Sequence, residues 1–99
     1  MALVARIKPR AAREILKATA WWRENRPAAL GAVESDLKAA LDALVEQPGI
    51  GSKVENARGS ETRRLYLART RYFIYYRARG KFVEVVAFWH ASRDQGPIV

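Results

Sequence analysis

The sequence predicts an α+β fold in which a helical hairpin packs on an antiparallel sheet, in the order strand, helix, helix, strand, strand, strand. Three observations predict it. Apolar residues recur at helical spacing from Pro9 to Gln47, a proline interrupts that stretch at position 27, and from Thr62 onward aromatic and β-branched runs separated by short turns take over.

Val4, Arg6 and Lys8 alternate with Ala5 and Ile7, as in a short strand with one covered face. Pro9 ends it and can open a helix, because the N–H that proline lacks would be unpaired in a first turn. Ala12, Ile15, Leu16, Thr19 and Trp22 then recur at three- and four-residue intervals and share a face, with Lys17, Arg23 and Glu24 elsewhere. Asn25-Arg26-Pro27 breaks this helix, since the residue before proline is pushed out of helical geometry. A second helix follows at once. Its stripe is Leu30, Val33, Leu37, Leu41, Leu44 and Val45, and Gln47-Pro48-Gly49 stops it. So short a break folds the two helices back as an antiparallel hairpin over one sheet.

Gly49 to Ser60 has no period and three glycines, which predicts a surface loop. Three strands follow: Thr62 to Ala68, Tyr72 to Arg77, and Phe82 to Trp89. Arg69-Thr70-Arg71 and Ala78-Arg79-Gly80-Lys81 are short enough for hairpin turns, and Gly80 can take positive φ. The middle strands are apolar on both faces, so the helices cover one side and a partner or a polar-rimmed cleft covers part of the other.

Ninety-nine residues suit one domain, 1–99, with 95–99 as a flexible tail. The 49% hydrophobic content is too high for disorder, and charges interrupt it too often for a membrane span. With no cysteine and one histidine, disulfides, thiolate metal sites and histidine-rich zinc sites are excluded, and neither metal nor cofactor is expected. The first residues lack a secretory signal, so the cytoplasm is the expected compartment and no membrane partner is expected. The net charge of +8 points to an acidic protein or a nucleic acid as partner. It is unevenly spread: +5 over residues 1–26, −3 over 27–56 and +6 over 57–99. Both chain ends therefore build the basic surface.

The element order resembles the RelE/ParE superfamily of toxins from type II toxin–antitoxin pairs. The Leu44-to-Pro48 helix end followed by Gly51, the Arg64-Leu65-Tyr66-Leu67 strand and the Tyr72-Phe73-Ile74-Tyr75-Tyr76 strand carry the likeness. The His90-Ala91-Ser92-Arg93-Asp94 ending is most similar to the ParE branch. The resemblance implies a β-α-α-β-β-β toxin domain and a cognate antitoxin that wraps it. It also implies one of two targets: DNA gyrase, poisoned by binding in the ParE branch, or ribosome-bound mRNA, cut by RelE-like members.

A ribonuclease must activate a 2′-hydroxyl, clamp a phosphate and protonate a leaving oxygen. Arg64, Arg77, His90 and Arg93 are the residues able to do this, with Tyr75 or Tyr66 nearby. The dense lysine set of RelE-like enzymes is missing, and Lys53 alone does not replace it. The sequence thus favours a gyrase-binding toxin without catalytic residues, with His90, Arg93 and Trp89 as target contacts and direct nucleic-acid binding secondary. Against this stands the plainer role of a lone strand-end histidine, holding the tail by a backbone hydrogen bond. Trp21, Arg13, Lys17, Arg64, Tyr66 and Arg77 are candidates for antitoxin contact. Trp21 and Trp22 are helix neighbours, so only Trp22 fits the buried stripe and Trp21 is left as an exposed anchor.

Overall fold

The structure, a computed structural model, describes residues 2–55 and 61–99. Its elements are β1 (Val4–Ile7), α1 (Pro9–Asn25), a 3-10 turn (Pro27–Ala29), α2 (Ala32–Glu46), β2 (Ser52–Lys53), β3 (Arg63–Leu67), β4 (Tyr72–Arg79) and β5 (Phe82–His90). The strands form a single sheet in the order β1-β5-β4-β3-β2, and both helices pack on one face of it. The predicted α+β class holds, with three amendments.

First, β1 pairs with β5 in parallel, Val4 beside Phe82 and Ile7 beside Val85, so the sheet is mixed. The two helices carry the chain from β1 at one edge of the sheet to β2 at the other, and the antiparallel run β2 to β5 returns it beside β1 with β5 pointing in the same direction. Second, the stretch predicted as a loop contains β2, where Ser52 and Lys53 pair with Arg64 and Arg63. Residues 56–60 of that loop lie outside the described residues. Third, α2 does not restart at Pro27. The 3-10 turn intervenes, and α2 is entered through Gly31, whose φ of 77° suits a residue without a Cβ. Leu30 therefore falls before the helix and is 67% exposed.

The core lies between sheet and helices: Ala11, Ala18, Val33, Ala40, Leu44, Leu67, Tyr72, Ile74, Tyr76, Val83, Val85 and Phe88, with Ile15, Trp22, Leu37, Leu41, Val45 and Leu65 packed around it. In α1 the buried line is thus Ala11, Ile15, Ala18, Trp22. Leu16, about 100° further around the helix than Ile15, is instead 70% exposed.

A β-bulge decides which β5 side chains reach the core. Tyr75 is opposite Ala87 but Tyr76 is opposite Val85, so Val86 is an extra residue and alternation shifts there. Val83 and Val85 face the helices before the bulge; Phe88 and His90 do so after it. Trp89 is thereby turned to the other face, beside Phe73.

Turns tie the layers together. The Asp36 carboxylate of α2 accepts the Thr70 hydroxyl at 2.9 Å and pairs with Arg69 at 2.8 Å, while Arg69 also donates to the Ala32 carbonyl. Thr70 is fully buried, and Arg71 beside it takes a φ of 65°, a left-handed conformation unusual for arginine. Gly80 at the opposite hairpin has φ 57°, as its turn position predicts.

Candidate functional site

The predicted site residues divide between two faces of the sheet. Strand alternation puts Arg64 and Tyr66 of β3, Phe73, Tyr75 and Arg77 of β4, and Trp89 of β5 on the face away from the helices. His90 is on the helix side, where its ring meets the Tyr72 ring edge-on at 4.9 Å. Arg64, Arg77 and His90 are therefore not brought into one cluster.

The open face is a ladder of rings and cations. The Arg64 guanidinium lies 4.3 Å from the Phe73 ring centre and donates to the Tyr75 hydroxyl at 3.4 Å. Tyr66, 46% exposed, packs on Phe73 at 5.1 Å. Arg77 stands across from the buried Glu84, whose carboxylate is 3.8 Å from Arg6 at the outer strand. The Nε of Arg77 is buried and meets no hydrogen-bond acceptor.

Part of this face is covered by the chain's own end. Tyr75 is only 3% exposed although no helix lies over it. Gly96 runs against its hydroxyl: a Cβ there would sit 3.3 Å from that oxygen. The Trp89 indole N–H donates to the Gln95 carbonyl at 2.8 Å, and Arg10 of α1 donates to the Ile98 carbonyl. Lys53, Arg64, Tyr75, Gly96 and Pro97 thus border a recess of about 440 Å³.

The turn after β5 begins at His90. Its Nδ1 accepts the Ser92 N–H at 3.1 Å and lies 2.8 Å from the Ser92 hydroxyl, while the His90 carbonyl accepts the Arg93 N–H. His90 thereby shapes the reversal that presents Arg93. The Arg93 guanidinium stacks 3.9 Å from the Trp89 ring centre rather than pairing with Asp94.

On the helix side, Glu14, Lys17, Ala18, Trp21, Tyr72, Phe88, His90 and Arg93 line a cleft of about 300 Å³ between α1 and the end of β5. Two predicted groups meet here. The target-contact candidates His90 and Arg93 share the cleft with the antitoxin candidates Lys17 and Trp21. Arg13, exposed one helical turn before Lys17, continues the same ridge. Trp21 is 47% exposed, as the helix pattern predicts.

Two residues that sequence reasoning passed over also matter. Glu14 accepts the Phe88 N–H at 2.9 Å and faces Arg10 at 3.4 Å, holding α1 to β5 beside the cleft. Tyr72 forms the cleft floor, stacked on Phe88 at 4.6 Å. No group of three or more metal-ligating side chains occurs among the described residues, and no helix there is long and apolar enough to cross a membrane.

Burial raises the phenol pKa of both Tyr72 and Tyr76 above the ordinary value, more than the Gly51 N–H and Arg63 lower that of Tyr76. The fold therefore keeps protons that the unfolded chain releases near pH 10. Their contribution is complete below that pH and is lost as pH rises through the folded values. Urea midpoints measured from pH 8 to 11 are expected to hold until about pH 10 and then fall. The Tyr76→Phe protein should decline less steeply; an equal slope would exclude Tyr76 from the linkage.

With this geometry in hand, relatives decide the family. The sequence profile described as ParE toxin of type II toxin-antitoxin system, parDE, matches residues 5–95. The chain belongs to the ParE toxin family. The toxin is also 33% identical, over 97 residues, to Toxin RelE1 of Caulobacter vibrioides, covering 96% of this chain and all of that protein. Among solved structures it resembles a chain of the chromosomal ParDE TA system from P. aeruginosa with a TM-score of 0.73. That match covers 92% of this chain and 98% of the other at 17% identity, and so speaks for the fold. The relatives carry both ParE and RelE names, which places the toxin in the RelE/ParE superfamily.

Proposed function

We propose that this toxin arrests growth by binding DNA gyrase through the His90–Arg93 turn and Trp89, and that a cognate antitoxin neutralises it. The observation that carries the reading is the separation of Arg64 and Arg77 from His90 by the sheet. RNA cleavage needs base, acid and phosphate clamp around one scissile bond. A binding toxin needs only a presented surface. The His90 turn supplies one, holding a cation over an aromatic ring at the chain's end. The basic ends of the chain would also favour approach to DNA-bound enzyme.

Supercoiling and cleavage-complex assays with purified gyrase test this. The wild-type toxin should inhibit supercoiling, and Arg93→Ala should raise the half-inhibitory concentration at least roughly tenfold, the loss of one interface anchor. Full gyrase activity at saturating toxin would overturn the reading. One observation favours a second reading, RelE-like cleavage of ribosome-bound mRNA: Arg64 reaches the Tyr75 hydroxyl on a face where the Arg77 Nε has no acceptor. On that reading Arg64→Ala abolishes mRNA cleavage on ribosomes and leaves gyrase untouched.

A further inference from the structure

We propose that the end of the open sheet face remote from His90, where Arg6 and Lys8 of β1, Arg79 of β4 and Lys81 of the β4–β5 turn gather around Glu84, grips the phosphate backbone of duplex DNA. The phosphate grip stands apart from the gyrase reading. The choice of DNA over RNA, and the consequence that the toxin holds gyrase and DNA at once, rest on that reading.

Strand register builds the strip. Val4, Phe82 and Arg79 form one row across β1, β5 and β4, and Arg6, Glu84 and Arg77 form the next. Val83 and Val85 face the helices, so alternation turns both rows to the other side. Lys8 is still extended, with φ −71° and ψ 154°, and follows Val4 and Arg6 onto that side. Lys81 is tied to β1 through its carbonyl, which accepts the Val4 N–H at 2.8 Å. Two strand spacings separate β1 from β4, so the strip is about 10 Å wide.

Its charge is one-sided. Arg6, Lys8, Arg77, Arg79 and Lys81 stand against Glu84 alone in these rows. Glu84 is buried and lies 3.8 Å from Arg6, which steadies the arginine and leaves the strip strongly positive. Lys8 and Lys81 are exposed, and neither enters an ion pair among the described residues. Guanidinium forks and ammonium groups are the natural partners of phosphate oxygens. The rest of the strip selects a backbone rather than bases or a peptide. Phe82 is capped by the Arg6 guanidinium, 3.7 Å from its ring centre, so it offers no platform for the stacked bases of a single strand. Val4 is the exposed large apolar side chain of these rows, too little for the apolar core of a protein interface. A duplex, by contrast, presents one charge per roughly 1.7 Å of its axis and asks only for cations.

The strip is also well placed. β5 runs from Phe82 at the strip to His90 at the turn, nine residues that span roughly 25 Å. A protein seated on Arg93 therefore leaves the strip open to DNA.

The test uses the full-length toxin, a short fluorescent DNA duplex and purified gyrase. Wild-type toxin should bind the duplex without sequence preference, with affinity falling steeply as salt rises. Lys8→Glu/Lys81→Glu replaces exposed side chains and should keep the wild-type thermal midpoint. Its duplex affinity should fall at least roughly tenfold, and its salt slope should flatten by about two. Arg23→Glu/Lys38→Glu removes the same charge from the helix layer and should cost under about threefold at physiological salt, where distant charges are screened. Arg93→Ala should bind the duplex as the wild type does. The Lys8→Glu/Lys81→Glu protein should bind DNA-free gyrase normally, yet inhibit supercoiling only at concentrations raised roughly tenfold.

No duplex binding at low salt, or wild-type duplex affinity in the Lys8→Glu/Lys81→Glu protein, would overturn the proposal. So would an equal loss in the helix-layer variant, since net charge rather than the strip would then be the cause. Tighter binding of single-stranded DNA, duplex RNA or anionic vesicles through Lys8 and Lys81 would overturn the assignment to duplex DNA. If gyrase is not inhibited at all, the gyrase reading and the bridging fall, whereas the duplex titration still decides the strip.

Discussion

Leu44→Ala is expected to cost about 2–5 kcal/mol of folding free energy, a large part of the roughly 5–15 kcal/mol available to a domain of this size. Leu44 is fully buried on α2, in the same cluster as Val33, Ile74, Val83 and Val85. Replacing its isobutyl group with methyl forfeits the transfer free energy of three carbons and leaves a void. Strands on one side and a helix on the other can close that void only in part, because interiors are close-packed. Thermal unfolding should show a midpoint lower by about 4–8 °C for each kcal/mol lost. A fall of under about 0.5 kcal/mol, the range of surface substitutions, would mean that Leu44 is not the core anchor described here. A binding partner stabilises the folded state by mass action, so co-expressed antitoxin should restore part of the lost soluble yield. Toxicity should fall with folded fraction even though Leu44 touches neither face of the proposed site.

The contrast between Leu44 and Leu16 shows how far periodicity carries. Both are leucines in amphipathic helices, and both fall on the predicted stripes. Spacing correctly buried Leu44. It failed for Leu16 because a helix packed on a sheet buries a narrow line, here Ala11, Ile15, Ala18 and Trp22, and two small alanines on that line gave a weaker signal than one leucine off it. The three strands of the meander were legible from their rings and β-branched runs. Which of Phe88 and Trp89 reaches the core was not, since the answer turns on one extra residue at Val86, and a bulge leaves no reliable mark in an apolar run.

The same bulge explains why the candidate site was only half legible. Residue types nominated Arg64, Arg77, His90 and Arg93 together, since their chemistry is compatible with one reaction. Their division between faces depends on strand parity, which the bulge shifts before His90. The meeting of Lys17 and Trp21 with His90 was equally hidden, because it depends on how α1 lies across β5, and contacts between elements distant in sequence have no local signal. Parallel pairing of β1 with β5 was missed for the same reason.

Tyr76→Phe is expected to cost about 2–4 kcal/mol, because it removes a hydroxyl that satisfies two backbone groups at once. That oxygen donates to the Pro48 carbonyl at 2.7 Å and accepts the Gly51 N–H at 2.9 Å, closing the passage from the end of α2 into β2. Gly51 is buried, so its N–H would be left without water or partner. The closeness of this contact also accounts for the glycine. A Cβ at position 51 would lie 2.6 Å from the Tyr76 hydroxyl and 2.7 Å from the Arg64 carbonyl, and the second of these is backbone that cannot swing aside. Gly51→Ala should therefore destabilise by about 1–3 kcal/mol as overpacking does. The two substitutions should also be non-additive: deleting the hydroxyl relieves the shortest of three close approaches, the Arg64 carbonyl and the Tyr76 Cε1 at 2.9 Å remaining, so the double variant should lose less than the summed single losses. Urea denaturation of the four proteins measures this directly. Strict additivity would show that Gly51 and Tyr76 act independently, and that the latch between α2 and the sheet edge is not made by this contact.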